Sequence, residues 1–246
     1  MKKNFKLVVE YDGTDFSGWQ RQKDRLTVQE EIERTLSTIL NQEIKISGSG
    51  RTDAGVHALG QVASFTASTR IGLPDLKKGF NSLIKHPIVV RECTLAHGDF
   101  HAQYSAISKE YHYMILNRET PCAVGRNYLW HIRPPLDLDL MNQCCTLLVG
   151  EHDFKSFENT GSPRTSTVRE IFSAQVSSRE DHRLVFKICA SGFLKNMVRN
   201  ILGTLVDAGR GKIEVQTFKE ILNAGDRSLA GATAPARGLF LYRVNY

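Results

Sequence analysis

The chain has 246 residues, of which 41% are hydrophobic and 24% are charged, so its composition is that of a folded globular protein and not of a disordered chain. Its 32 Lys and Arg residues exceed its 26 Asp and Glu residues, which gives a net charge of +6. This excess fits either a soluble protein that is basic by chance or one with a polyanionic partner such as nucleic acid.

The cysteines, the histidines and the apolar runs indicate which kinds of protein this chain resembles. The five cysteines are odd in number and form no CxxC pair, which favours free thiols in a reducing cytoplasm. The N-terminal MKKNFKLVVEYDG holds lysines but no long apolar run, and nowhere do 18 consecutive apolar residues occur, so we expect neither a signal peptide nor a membrane span. No HExxH motif occurs, and we expect no metal site.

The first hundred residues predict the chain order β-α-β-β-α-β, which is that of a ferredoxin-like unit. We expect its strands at residues 6–11, 43–47, 61–65 and 88–95, and its helices at residues 27–40 and 75–85. Thr27 and Glu30 are spaced as a capping box at the start of the first helix.

The remaining residues repeat this order loosely, as a pattern and not as a sequence. Strands are expected at 110–117, 168–176, 184–190 and 239–244, and helices at 137–148, 193–209 and 215–222. We therefore predict an α+β protein with two ferredoxin-like or RRM-like halves, residues 1–104 and 105–246. Their antiparallel sheets would join, with helices on one face and an active-site cleft between the halves. The long polar loops at 12–26, 117–135 and 153–166 are rich in basic residues, as functional loops often are.

The segment SGSGRTDAGVHALGQVASF, residues 47–65, places Arg51, Thr52 and Asp53 among glycines. A dinucleotide fingerprint would need glycine where Asp53 stands, and a strand follows in place of a helix, so a nicotinamide-dependent oxidoreductase is disfavoured. Asp53 is then either a turn or capping acid, or a carboxylate that the neighbouring Arg51 keeps ionised as a nucleophile or base.

Two groups of aromatic side chains have a core and a functional interpretation. Tyr111 and Tyr113 in KEYHY are two residues apart, so they share one face of a strand, where they either pack in the core or stack on a base. Tyr11, Phe16 and Trp19 in YDGTDFSGWQRQ suit either a nucleotide-stacking loop or a hydrophobic lid.

Arg199 lies on the predicted helix 193–209, two residues beyond Met197. Helical geometry turns it about 200° away from Met197 and so off the apolar stripe. It is therefore either a solvated surface arginine or a buried partner of a carboxylate.

Seven segments together, in this order, resemble the tRNA pseudouridine synthase A family nearly from end to end. They are YDGTDFSGWQRQ, TVQ, GSGRTDAGVHALGQVASF, FHAQYSAISKEYHY, HDFKSF, FLKNMVRNILGTL and APARGL. Of these, the run GRTDAGVHA is highly specific. Among the small departures, Lys109 stands where arginine is also common.

The resemblance implies an isomerase that converts uridine to pseudouridine at positions 38, 39 and 40 in the anticodon arm of tRNA, on a nucleotide flipped out of the stack. It implies no cofactor and no metal, and a homodimer in which each tRNA touches both subunits. An RNA-binding module of two RRM-like halves is the alternative, and it differs from the enzyme in needing no catalytic aspartate.

The resemblance also implies roles for individual residues. The family's catalytic aspartate falls on Asp53, and the arginine associated with extruding the target base falls on Arg51. The substrate-contacting tyrosine falls on Tyr111, and the basic residue that pairs with the aspartate falls on Arg199. Leu239, the last residue of APARGL, completes the predicted substrate-binding set.

Overall fold

The computed structural model describes residues 2–159, 161 and 165–246, so the loop expected at 153–166 lies partly outside the described residues. The chain forms two compact units. The first holds Met1–Ile107 and Phe240–Tyr246, and the second holds Ser108–Leu239. The first unit is therefore discontinuous in sequence. The division of the chain into domains at residues 104 and 105 stays a prediction.

The first unit follows the predicted β-α-β-β-α-β order. Its elements are β1 (Lys3–Tyr11), α1 (Val28–Leu40), β2 (Ser47–Gly48), β3 (His57–Ala67), α2 (Leu73–Leu83) and β4 (Ile88–Ala96). The strands pair antiparallel in the order β4-β1-β3, and β2 pairs with β3. This arrangement places the loop between β2 and β3, which carries Asp53, at the start of a strand paired with β1.

Alternation on β1 explains how this sheet packs. Every second side chain of the strand is buried, namely Phe5, Leu7, Val9 and Tyr11. Phe5 stacks on Phe65 of β3 with ring centroids 4.9 Å apart. The apolar stripe of α1 is equally buried, at Val28, Ile32 and Leu36. The period of two in the strand and of about 3.6 in the helix thus brings the two apolar faces into one core.

Two local predictions in this unit are wrong. Residues 43–46 are not a strand, because Ser37 Oγ and Glu33 Oε1 of α1 accept the backbone N–H groups of Ile44 and Ile46, at 2.9 and 3.0 Å. The capping box also fails. Thr27 stands at the N-cap, but its buried hydroxyl makes no hydrogen bond to any described residue.

The second unit contains β5 (Ser108–Asn117), β6 (Trp130–Ile132), α3 (Leu138–Leu148), β7 (Gly150–Asp153), β8 (Val168–Ser178), β9 (Arg183–Ala190), α4 (Met197–Gly209) and α5 (Val215–Ala224). Its sheet order is β6-β5-β9-β8-β7, antiparallel except for the parallel pair β5–β6. The helix expected from residue 193 begins only at Met197, because Asn196 has a φ of 61° and does not continue a right-handed helix. Most of α4 is buried, so this helix lies at the centre of the unit's core.

The last strand, β10 (Leu239–Asn245), returns to the first unit. Phe240 and Leu241 pair with His57 and Ala58 of β3, and the pairing is parallel. The sequence predicts this strand as the closing element of the second half. It instead lies beside the strand that follows the Asp53 loop.

Candidate active site

Asp53 lies on a tight turn immediately before β3. The N–H of Val56 donates to the Asp53 carbonyl at 3.1 Å, which closes the turn. Asp53 is half-buried, its neighbour Thr52 is buried, and Arg51 is exposed. The structure thus brings Arg51 and Asp53 together in one loop, with the carboxylate-bearing residue held at the turn and the arginine on the surface.

The segment 12–19 holds this loop from outside. The Trp19 N–H donates to the Thr52 carbonyl at 3.1 Å, and the Gly55 N–H donates to the Phe16 carbonyl at 3.3 Å. Gly18 has a φ of +98°, and a Cβ there would lie 2.7 Å from the Thr52 oxygen. Only glycine fits this close backbone approach without strain.

The same segment also binds the first turn of helix α1. The carbonyls of Gly18 and Trp19 accept from the N–H groups of Val28 and Gln29, at 3.2 and 3.0 Å. These backbone bonds satisfy donors that a side-chain cap otherwise serves, which explains why Thr27 does not act as one. The Asp53 loop and helix α1 are therefore both hydrogen-bonded to the segment 12–19.

Tyr11, Phe16 and Trp19 are all buried, so they are scaffold residues and not a surface for stacking nucleotides. The Tyr11 hydroxyl and Thr52 Oγ1 share a buried hydrogen bond of 2.8 Å. Burial raises the pKa of the Tyr11 phenol well above its usual range, so it stays neutral and keeps its proton for this bond. Tyr11 therefore anchors the residue next to Asp53.

His57, four residues after Asp53, is a structural side chain. It is buried, and its ring stacks on Phe240 with centroids 4.7 Å apart. Its Nδ1 accepts the Gly13 N–H at 3.0 Å, and Asp12 Oδ1 lies at the same distance from that nitrogen. His57 positions the 12–13 backbone and is not placed to act as a base on substrate.

In the second unit, Tyr111 and Tyr113 share one face of β5, as predicted, but their surroundings differ. Tyr111 keeps 8% of its surface exposed and meets the Phe193 ring edge-on at 5.1 Å. Tyr113 is fully buried, and its hydroxyl donates to the Pro235 carbonyl at 2.7 Å. Tyr113 is therefore a core residue that fixes the segment before β10.

Arg199 is half-buried on α4 and is bound to that same segment. Its Nε donates to the Ala234 carbonyl at 2.7 Å, and the Ala234 N–H donates to the Arg199 carbonyl at 3.1 Å. It is not the fully solvated arginine of the surface interpretation. The buried Leu239 follows at the start of β10.

Burial and neighbouring positive charges act in opposite directions on the Tyr113 phenol. Burial raises the pKa of the Tyr113 phenol well above its usual range, and the positive charges of Arg199 and Arg237 act in the opposite direction. On the same strand, burial lowers the pKa of Lys109, and the charge of Arg169 lowers it further. The second unit thus concentrates positive charge around β5.

A hydrogen-bond network that sequence analysis did not identify surrounds this segment. Arg227 donates to Asn159 Oδ1 at 3.2 Å, Asn200 Oδ1 at 3.0 Å and Thr233 Oγ1 at 3.1 Å. Asn200 is fully buried beside Arg199, and Thr233 precedes Ala234. Arg227 therefore ties α4 to the chain that binds Arg199. Its partners lie 6, 27 and 68 residues away in sequence, so no local motif reveals the network.

Possible metal ligands, membrane-spanning helices and cysteine thiols were considered next. Among residues 2–159, 161 and 165–246, no three His, Cys, Asp or Glu side chains gather as a bound metal ion would require. Within those same residues, no helix has the length and apolar character to cross a membrane. Burial raises the pKa of the Cys144 thiol to about 11 and that of Cys145 to about 12, so neither is a reactive thiolate at neutral pH.

Comparison with known proteins gives consistent matches. The family model described as tRNA pseudouridine synthase matches residues 7–105 and 144–246. The tRNA pseudouridine synthase A of Thermoanaerobacter sp. (strain X514) is 43% identical over 244 residues, covering 99% of this chain and 100% of that protein. With the same coverage, tRNA pseudouridine synthase A 2 of Clostridium perfringens (strain 13 / Type A) is 40% identical and tRNA pseudouridine synthase A of Ruminiclostridium cellulolyticum is 41% identical.

Proposed function

The chain belongs to the tRNA pseudouridine synthase family, and we propose that the uridines it converts are those at positions 38, 39 and 40 of the anticodon arm. It is an isomerase that acts on tRNA. The positions are those that the motif resemblance implies, and full-length similarity to relatives named tRNA pseudouridine synthase A supports that resemblance. The basic composition, with a net charge of +6, suits a polyanionic substrate.

The reaction sets what the residues must do. The N1–C1′ bond of uridine breaks, the uracil turns, and a C5–C1′ bond forms. The proton on C5 is removed and N1 gains one, so atoms and electrons balance within the isomerisation. No oxidant, reductant or energy source is consumed, and the protein's task is to stabilise the transition state and to confine the detached base.

Asp53 is the proposed catalytic residue, and its placement is the observation that carries this proposal. A half-buried carboxylate-bearing residue stands on a turn whose backbone is bonded on both sides, to Phe16 and to Trp19. A fixed position is what a nucleophile or base needs. An ionised Asp53 serves either of two routes, attack on a carbon of the nucleoside or removal of the 2′ proton.

The other predicted site residues take complementary roles in this proposal. Arg199, held by Ala234, is the basic residue that the family resemblance assigns as the partner of Asp53. Tyr111, with its ring edge-on to Phe193, stacks on the uracil. The exposed Arg51 helps extrude the target base, and Leu239 contacts the substrate. A stacked base is out of reach, so the nucleotide must be flipped out before Asp53 acts.

We extend the proposal to the assembly and location of the enzyme. It acts as a cytoplasmic homodimer in which one tRNA touches both subunits. Light scattering should then give twice the mass of the 246-residue chain, and a monomeric mass at working concentration would contradict the dimer. The composition and the free thiols support the cytoplasmic location.

Mapping of pseudouridine on tRNA tests the positions. Unmodified tRNA transcripts are incubated with the purified protein and read by carbodiimide-dependent primer extension. We expect stops at uridines 38, 39 and 40, and none in matched transcripts that carry cytidine there. Binding without any stop in the anticodon arm would instead favour the RNA-binding module.

A further inference from the structure

The first unit carries a pair of stacked aromatic rings, one exposed and one half-buried, that no step above uses. Tyr104 is 80% exposed, and its ring lies on that of His101 with centroids 4.4 Å apart and planes 26° apart. Most large aromatic side chains of this unit are buried, including Tyr11, Phe16 and Trp19. One face of Tyr104 is therefore covered by His101 while most of the side chain faces solvent.

This ring pair is held in place by the backbone beneath it. His101 Nδ1 accepts from the N–H groups of Gln103 and Tyr104, at 3.2 and 3.3 Å. The turn is anchored to the sheet through Ala102, whose N–H donates to Ser64 Oγ at 3.1 Å. Its carbonyl accepts from the hydroxyl of Tyr246 at 2.7 Å. A rigid aromatic surface loses little conformational entropy when a planar ligand stacks on it.

A positive charge lies beside the same turn. Lys6 Nζ stands 4.4 Å from the centroid of Tyr246 and 5.5 Å from that of Phe100, and these two rings are 4.9 Å apart. In the described part of the chain, no carboxylate comes within ion-pair distance of Lys6. The ring faces hold the ammonium group but leave its charge without an anion.

We propose that Lys6, Phe100, His101, Tyr104 and Tyr246, the aromatic patch, bind an unpaired nucleotide of the tRNA apart from the one that reacts. Its base stacks on Tyr104, and a phosphate of the same strand lies at Lys6. Exposed aromatics interleaved with a basic group are the features by which proteins bind single-stranded nucleic acid. The proposal rests on tRNA as the substrate, but not on which uridine is converted.

Four variants test the patch by the affinity for an unmodified tRNA transcript, measured by fluorescence anisotropy at several salt concentrations. Tyr104→Ala should weaken binding by about 5- to 150-fold, the range given by one stacked base. Tyr104→Phe keeps the ring and should stay within about threefold. Ile107→Ala is the matched control, because Ile107 is 64% exposed on the same segment but has no ring. Lys6→Gln should lower the slope of log affinity against log salt by about one.

The results distinguish the aromatic patch from the proposed dimer and from the proposed tRNA positions. Tyr104→Ala binding as tightly as the wild type, or Ile107→Ala losing as much as Tyr104→Ala, would overturn it. A monomeric Tyr104→Ala in light scattering would show that a second copy of the chain, and not RNA, covers the patch. Pseudouridine mapped with the wild type at sites other than 38, 39 and 40 would end the position assignment, yet the affinity comparison would still test the patch.

Discussion

The loop that carries Asp53 and the helix that carries Arg199 both lie near a tyrosine hydroxyl that forms a hydrogen bond, but different kinds of hydrogen bond hold them in place. The hydroxyl of Tyr11 binds Thr52 in the loop, and that of Tyr113 binds Pro235 on the segment that holds Arg199. The loop is framed by backbone bonds to the segment 12–19, whereas the helix is framed by side-chain bonds centred on Arg227. Glycines without side chains let two backbones approach closely enough to hydrogen-bond and hold the loop. The buried helix instead relies on polar side chains whose hydrogen-bonding groups pair with one another.

This difference tells which changes should break each region. Where the backbone of the segment 12–19 approaches the Asp53 loop there is no room for a side chain, so substitution of a glycine there should disturb the loop. The Arg199 region also has such a point, where α4 meets the chain before β10, but there the surrounding core resists movement. We therefore expect changes in the helix to act first on stability, and changes in the loop to act first on catalysis.

The largest effect on stability is expected from Gly203→Ala. A Cβ at this position would overlap the carbonyl oxygen of Ala232, and both the helix and that backbone would have to shift. We expect a loss of about 3 kcal/mol in the free energy of unfolding, at the upper end of overpacking costs. Urea denaturation measures it. Gly79→Ala is the control, because its Cβ would meet only Ile39, at 4.0 Å, within helix α2, and should be stabilising by about 0.5–1 kcal/mol.

A comparable loss, but in activity, is expected from Gly18→Ala. Its φ of +98° and the 2.7 Å approach to the Thr52 oxygen force the loop that carries Asp53 to move. We expect pseudouridine formation to fall by about 100-fold, as for a reacting group displaced by about 1 Å. Gly98→Ala has open space around its Cβ and should leave the rate unchanged. A Gly18→Ala enzyme that is destabilised but fully active would refute the idea that this contact positions Asp53.

Smaller and nearly equal effects are expected from Tyr11→Phe and Tyr113→Phe. Each removes one buried hydrogen bond, which should cost about 1 kcal/mol in the free energy of unfolding. In the wild type, burial raises both phenol pKa values, so the folded chain keeps protons that the unfolded chain loses above about pH 10. Stability should therefore be fully present below that pH and fall as the pH rises. Urea denaturation at pH 8 and pH 10.5 should show a smaller fall for each Phe variant, and equal falls would contradict the anchor role.

Much of the fold follows from local patterns in the sequence. The alternation of Phe5, Leu7 and Val9 predicts β1, and the spacing of Val28 and Ile32 predicts α1, because one buried face is enough to define each element. The βαββαβ order of the first unit follows from these periods. The GRTDAG motif likewise marks the loop at Asp53 from glycines and charges that are adjacent in sequence.

The rest depends on contacts between residues far apart in sequence. Nothing near Ile46 shows that Glu33 accepts its backbone N–H in place of a strand partner. Nothing near Phe240 shows that it pairs in parallel with His57. Arg227 is ordinary in sequence, and its contact with Asn200 appears only once α4 is packed. Local propensity cannot anticipate bonds that tertiary packing creates.

The most direct test of the account is the rate of pseudouridine formation by Asp53→Asn under single-turnover conditions with saturating tRNA. Asparagine keeps the shape of the side chain but cannot act as an ionised nucleophile or base. Asp15→Asn is the matched control, because Asp15 is an exposed carboxylate on the segment that packs against the same loop. We predict that Asp53→Asn forms no detectable pseudouridine while binding tRNA within a few-fold of the wild type, and that Asp15→Asn keeps the wild-type rate. Conversion by Asp53→Asn at a rate near that of Asp15→Asn would contradict the catalytic role of Asp53.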